Sequence, residues 1–158
     1  MQVEVIRSKK RRKTISAHQV TDDLMRLSIP ASLSKAEEQH WIDEMLRRFE
    51  KKAATERLDL EVRARELADE HGFPYPKSVR WVDNQHARWG SCTPADATIR
   101  LSSRMIGFPR WVIDSVLVHE LAHLIEIGHG PRFDALCARF ALTERATGYL
   151  LAKGFEGD

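Results

Sequence analysis

Cysteine is scarce in this 158-residue sequence. Cys92 and Cys137 stand far apart and form no CxxC pair. Two thiols cannot build a disulfide framework, so a reduced, cytoplasmic setting is expected, with one Cys92–Cys137 bridge as the only pairing available. Long apolar runs are missing too. None approaches the roughly 18 residues that a membrane span needs, so no membrane partner is expected. The first residues, MQVEVIRSKKRRK, hold no apolar core followed by a small-residue cleavage site, and no secretory signal is read there. Internal repeats, low-complexity segments and obvious linkers are also lacking, and the length suits one domain over 1–158.

What is present is a soluble, globular composition: 42% hydrophobic, 30% charged, with 4 Trp. Net charge is only +2, but it is unevenly spread. Arg7, Lys9, Lys10, Arg11, Arg12 and Lys13 crowd six positive charges into seven residues, leaving 19 Lys and Arg against 23 Asp and Glu elsewhere. Two readings stand for this basic knot. One is a contact for phosphates, in nucleic acid or a nucleotide. The other is a solvated hairpin turn between two strands. No aromatic interleaves the run, which argues against a stacking platform for single strands.

Three strands are expected at the start, over 3–6, 14–20 and 24–29, from their period-2 patterning. Ser34 and Glu37 form a capping box for a helix whose apolar stripe is Trp41, Ile42, Met45, Leu46 and Phe49. The charge-rich 50–57 segment continues that helix or breaks it. A second helix runs to His71, with Gly72 as its stop and Pro74 and Pro76 beyond. Helices thus fill 34–71. The 78–158 part opens with a strand over 78–83 and a pair of short strands, the second over 98–101. Pro109 suits the first position of an apolar helix to about Ile127, Pro131 opens another, and Thr143 is a candidate cap for a last one. Strands, helices, short strands and helices again make an α+β layout.

His119-Glu120-Leu121-Ala122-His123, followed by His129, is the stretch that carries chemistry. Residues four apart share one helix face. Two neutral imidazoles so placed can bind one Zn²⁺ at about 2.0–2.1 Å each. Glu120 sits where its carboxylate can reach a metal-bound water without binding the metal. Gly128 is expected to let the chain leave the helix so that His129 faces the same ion. Three protein ligands leave one tetrahedral position for water, the arrangement of a catalytic zinc. Cys92 as a fourth ligand would close it. Asp134 and Glu126 are candidate partners for the second imidazole nitrogens, alongside backbone carbonyls.

Residues 88–92 support two readings of equal weight. Either they form an edge strand offering backbone groups to an extended peptide, with Arg88 and Ser91 as substrate or oxyanion contacts. Or Trp89 is core, Gly90 permits close backbone packing and Arg88 is a structural ion pair. His86 is a candidate transition-state donor or a merely exposed histidine. His18, His40 and His71 have no ligand-like spacing.

The stretches Arg88-Trp89-Gly90-Ser91-Cys92-Thr93, Ile99-Arg100-Leu101, Val116 to His123, and His129-Gly130-Pro131-Arg132-Phe133 together resemble the YgjP-like zinc metallopeptidases, a family similar to the SprT-like and WLM proteases. The resemblance implies a zincin-like fold, with a mixed sheet beside the helix that bears the histidines. It also implies His119, His123 and His129 as ligands of a single Zn²⁺ and Glu120 as general base. The metzincin pattern shares the third-ligand spacing but wants Gly where this chain has Glu126, and no Met-turn follows. The function expected is hydrolysis of peptide bonds in a peptide or protein substrate. The alternatives are a metal-dependent nucleotide or phosphoanhydride hydrolase, and a SprT-like protease recruited to nucleic acid.

Overall fold

The structure, a computed structural model, describes residues 1–154. The chain divides into two compact units, Met1–Lys51 and Lys52–Asp158.

The first unit is built on strands β1 (Gln2–Ser8), β2 (Ser16–Thr21) and β3 (Leu24–Pro30), in the order β1-β3-β2. Strand β3 runs parallel to β1 and antiparallel to β2. Its alternation is the cause of its central place: Met25, Leu27 and Ile29 are fully buried, with half-buried residues between them. Because β3 lies between β1 and β2, the basic run is not a hairpin turn between two paired strands, as one reading of the sequence had it. Arg7 is also not a free charge. Its Nε and Nη2 donate to Glu38 Oε2 at 2.8 and 2.6 Å, and its Nη1 reaches the carbonyls of Ala31 and Leu33. Lys9, Lys10, Arg12 and Lys13 remain exposed.

Helix α1 (Lys35–Glu56) begins with the expected capping box: Ser34 N donates to Glu37 Oε2 at 2.7 Å, and Glu37 N to Ser34 Oγ at 3.2 Å. It runs through its charge-rich end without a break. None of its residues is apolar and fully buried.

In the second unit, α2 (Leu60–His71) starts at Asp59, whose carboxylate accepts from the backbone of Glu61 and Val62, and stops at Gly72 in the left-handed conformation, φ 74°. Strands β4 (Ser78–Val82), β5 (Gly90–Thr93) and β6 (Thr98–Ser102) form a mixed sheet in the order β4-β6-β5. Strand β6 is parallel to β4 and antiparallel to β5. Helices α3 (Arg110–Ala122), α4 (Pro131–Cys137) and α5 (Thr143–Ala152) follow. Helix α3 is the centre of this unit: every residue from Val112 to Val118 is buried, among them Asp114 and Ser115. The buried carboxylate is matched. Arg63 on α2 grips Asp114 with two bonds, Nε to Oδ1 and Nη2 to Oδ2, both 2.9 Å. Val79, Ile99 and Leu101 of the sheet join the same core as Leu67 of α2 and Leu117 of α3.

Three expectations are corrected. Helix α3 ends at Ala122 rather than Ile127, and His123 is its cap. The chain then tightens, with Leu124 N bonded to Leu121 O and Ile125 N to Ala122 O. That tightening turns the chain, and Gly128 is not in the left-handed region. Thr143 does not cap α5. Its hydroxyl reaches back to the carbonyls of Cys137 and Phe140, 2.7 and 2.9 Å away.

Candidate metal centre

His119 sits in the last turn of α3, His123 caps that helix, and His129 comes from the segment leading to α4. Their ring centroids lie 5.0 Å (His119–His123), 5.4 Å (His119–His129) and 4.8 Å (His123–His129) apart. One ligand nitrogen from each falls within 4.8 Å of the other two. The Nε2 atoms of His123 and His129 are 3.0 Å apart. Nitrogens bound tetrahedrally at 2.0–2.1 Å stand about 3.4 Å from one another, so the donor set needs only small adjustment to take an ion. Phe133 of α4, buried, is the floor of this cluster. It stacks on His123 with centroids 4.4 Å apart at 26°, and meets His119 and His129 edge-on at 4.8 Å each.

The second nitrogens decide which atoms face the ion. His123 Nδ1 lies 3.1 Å from the carbonyl oxygen of Glu126. A carbonyl only accepts, so Nδ1 carries the proton and Nε2 presents its lone pair to the cluster. Of the two carboxylates considered from sequence, Glu126 thus contributes its backbone oxygen, while Asp134 lies exposed in the first turn of α4. His119 Nε2 is buried and, among the described residues, finds no hydrogen-bond partner. Burial, then the neighbouring His123 and His129, push the His119 pKa down to about 4. The ring is therefore neutral at pH 7. A neutral imidazole with an orphaned, buried nitrogen, in a ring clustered with two others, suits a divalent ion of borderline softness.

Glu120 is 3% exposed and is not one of the three clustered donors. It lies against β5: a Cβ placed on Gly90 would stand 2.7 Å from Glu120 Oε1 and 3.0 Å from Val116 Cγ1. Only glycine lets the strand approach the carboxylate so closely. A cavity of about 160 Å³ opens beside His119 and Glu120, bounded by Gly90 and Val116 and, from α5, by Thr147 and Leu150.

The other candidates fall elsewhere. Ser91 alternates with Gly90 and turns away from α3; its Oγ accepts from Gln85 Nε2 at 2.5 Å and Arg100 Nε at 3.1 Å. Arg88 is exposed, and its carbonyl accepts from Arg104 Nη2 at 3.2 Å. His86 is exposed in the segment before β5. Trp89 is core, 4% exposed, with Phe108 at 5.3 Å and Arg104 over its ring at 4.9 Å. Cys92 and Cys137 are free thiols, not a bridge. Burial, then the charge of Glu120, pushes the Cys92 thiol up to about 11, and it stands outside the three-histidine group. Sequence reasoning gave no site role to Phe133 or to α5. Which wall they would build depends on tertiary packing that periodicity does not encode.

A family model described as YgjP-like, metallopeptidase domain, matches residues 4–144. Two crystal structures share the fold. The metallopeptidase zymogen abylysin of Pyrococcus abyssi is 18% identical, with a TM-score of 0.56 over 62% of this chain and 98% of that one. The zymogen jannalysin of Methanocaldococcus jannaschii is 16% identical, with a TM-score of 0.51 over 61% and 98%. No curated protein matches the sequence.

Proposed function

The chain belongs to the YgjP-like metallopeptidase family, and we propose that it hydrolyses peptide bonds at one zinc ion held by His119, His123 and His129. The observation that carries this reading is the convergence of three imidazoles whose ligand atoms lie within 4.8 Å, beside a buried carboxylate. A bound zinc supplies Lewis acidity toward a carbonyl oxygen and lowers the pKa of a water toward ~7. The chain's own groups do the rest. His123 is held in register by the Glu126 carbonyl and His119 by burial. Glu120 accepts a proton at a carboxylate oxygen from the attacking water and returns it to the leaving amine. Glu120 is almost wholly buried, so solvent screens its charge little. Strand β5 is an edge of its sheet and offers backbone groups to an extended peptide, with Arg88, Ser91 and His86 as outlying candidates for contact.

Two free thiols favour a reducing, cytoplasmic setting. No helix among the described residues is long and apolar enough to cross a membrane. The readings as a nucleotide hydrolase or a nucleic-acid-recruited protease need the basic run to hold phosphate, and Arg7 of that run is engaged with Glu38.

The test is Glu120→Gln, loaded with zinc beside the wild type. Zinc content is expected to stay at one per chain while peptide turnover falls about 10²- to 10⁴-fold. Wild-type turnover by the variant on a peptide mixture overturns the assignment of the base. Release of phosphate from nucleotides, lost in the same variant, overturns the choice of substrate.

A further inference from the structure

The cavity beside His119 and Glu120 is larger than a water and a metal ion need, and its far wall is built by a helix that holds none of the metal ligands. That wall is apolar. Leu150 and Leu151 of α5 supply its apolar side chains; Val116 of α3 and Cys137 of α4 continue the apolar lining, with Trp89 at one side and the Ser115 hydroxyl of α3 among them. The two threonines of α5 that reach it have spent their hydroxyls on backbone carbonyls: Thr143 on Cys137 and Phe140, Thr147 on Thr143 at 3.0 Å. Beyond His119 and Glu120 at its inner end, the lining holds no carboxylate, lysine or arginine. A charged side chain seated against the apolar wall would shed its hydration there, with Glu120 at the inner end as the one carboxylate in the lining; an apolar side chain has no such hydration to lose. The rim is telling as well. Leu151, a large apolar side chain that lines the cavity, is 53% exposed and so stands at its mouth. At about 160 Å³ the space matches the roughly 150 Å³ dry cavity known to take a benzene ring.

We propose that this cavity is a specificity subsite, taking the uncharged apolar side chain, from leucine to phenylalanine in size, of the residue beside the bond that is cut, with Thr147, Leu150 and Leu151 of α5 setting its depth and width. The identity of the substrate rests on the peptidase reading; the chemistry of the cavity does not. The side chain enters past Leu151 and fills the space between α3 and α5. The adjoining backbone is thereby held against Glu120 and the histidines. Substrates with Gly, Lys or Asp at that position lack this anchor.

The test has a binding arm and a cleavage arm. In the first, the amide NMR spectrum of the wild type is followed while N-acetyl-leucinamide, N-acetyl-phenylalaninamide, N-acetyl-glycinamide or N-acetyl-lysinamide is added. The leucine and phenylalanine probes are expected to shift the amides of Thr147, Leu150 and Leu151 saturably, and the other two to leave them in place. Thr147→Trp, which fills the cavity, abolishes those shifts. Leu151→Ala, at the exposed rim and harmless to folding, weakens them. In the second arm, mass spectrometry of a digested peptide mixture is expected to show cuts next to Leu, Met or Phe favoured at least about tenfold over Gly, with Thr147→Trp shifting the preference toward Gly and Ala. Equal shifts from the leucine and glycine probes, or a Leu151→Ala protein that responds like the wild type, overturn the subsite. Probes that seat in the cavity of a protein that cuts no peptide leave the subsite standing and remove the peptidase. Peptides cut without side-chain preference do the reverse.

Discussion

At position 90 a single methyl group would collide with the carboxylate on which the proposed chemistry depends. The clash is 2.7 Å from a Cβ to Glu120 Oε1, with Glu120 Cγ at 3.1 Å. The carboxylate is the far end of a flexible side chain and can swing aside, while Val116 Cγ1, 3.0 Å from the same Cβ, has to give by only a few tenths of an ångström. Gly90→Ala is therefore expected to lower turnover by about 10²-fold, the scale of a misplaced reacting group, with zinc content and melting temperature close to those of the wild type. A variant with unchanged turnover would mean that the position of Glu120 is not critical. The pairing of His119 and His123 was legible in the sequence because helix geometry brings residues four apart onto one face, and His129 joins them from the segment before α4. The role of Phe133 was not. Its ring touches all three imidazoles only because α4 folds back across the end of α3. Gly128 shows the opposite error: a residue with a plausible local job was not needed for it, because i→i+3 bonds at Leu124 and Ile125 already turn the chain.

Helix α3 carries the histidine pair at one end and a buried carboxylate near the other. Asp114 is 5% exposed and Arg63 holds it with both arms. Asp114→Ala leaves a half-buried guanidinium whose other carboxylate partner, Glu66, is half-exposed. Urea denaturation is expected to show a loss of about 3 kcal/mol, and a loss below about 1 kcal/mol would show that the pair does not hold α2 to α3. Nothing in the sequence singled out Asp114; it reads as a polar interruption in an apolar helix, and its partner is 51 residues away. Most element types and their order were readable, since β1 and β3 alternate and α1 and α2 carry clear start or stop signals. Ends were less so. The histidine helix stops five residues before the expected Ile127, because apolar spacing continues into Ile125 and Ile127, which the structure leaves exposed at 49% and 76%. That a last helix follows was readable, but not that it would close a cavity beside Glu120.

At the scale of the molecule, every residue placed at the metal centre or in the cavity beside it belongs to the second unit, Lys52–Asp158. Three ligands drawn from a helix end and the segment after it are brought together by folding, so a metal that binds them stabilises the folded state by mass action. Free zinc at about 100 times its dissociation constant adds about 2.7 kcal/mol. Chelation is expected to lower the melting temperature of the wild type by several degrees and to leave His129→Ala unaffected. Equal responses from the two proteins would place the stabilising metal elsewhere. The most direct measurement is X-ray absorption at the zinc edge of the wild-type protein loaded with one equivalent. Three nitrogen neighbours at about 2.0–2.1 Å and one oxygen from water are predicted. A sulfur neighbour at about 2.3 Å, or only two imidazoles in the shell, would contradict an open, three-histidine hydrolytic centre.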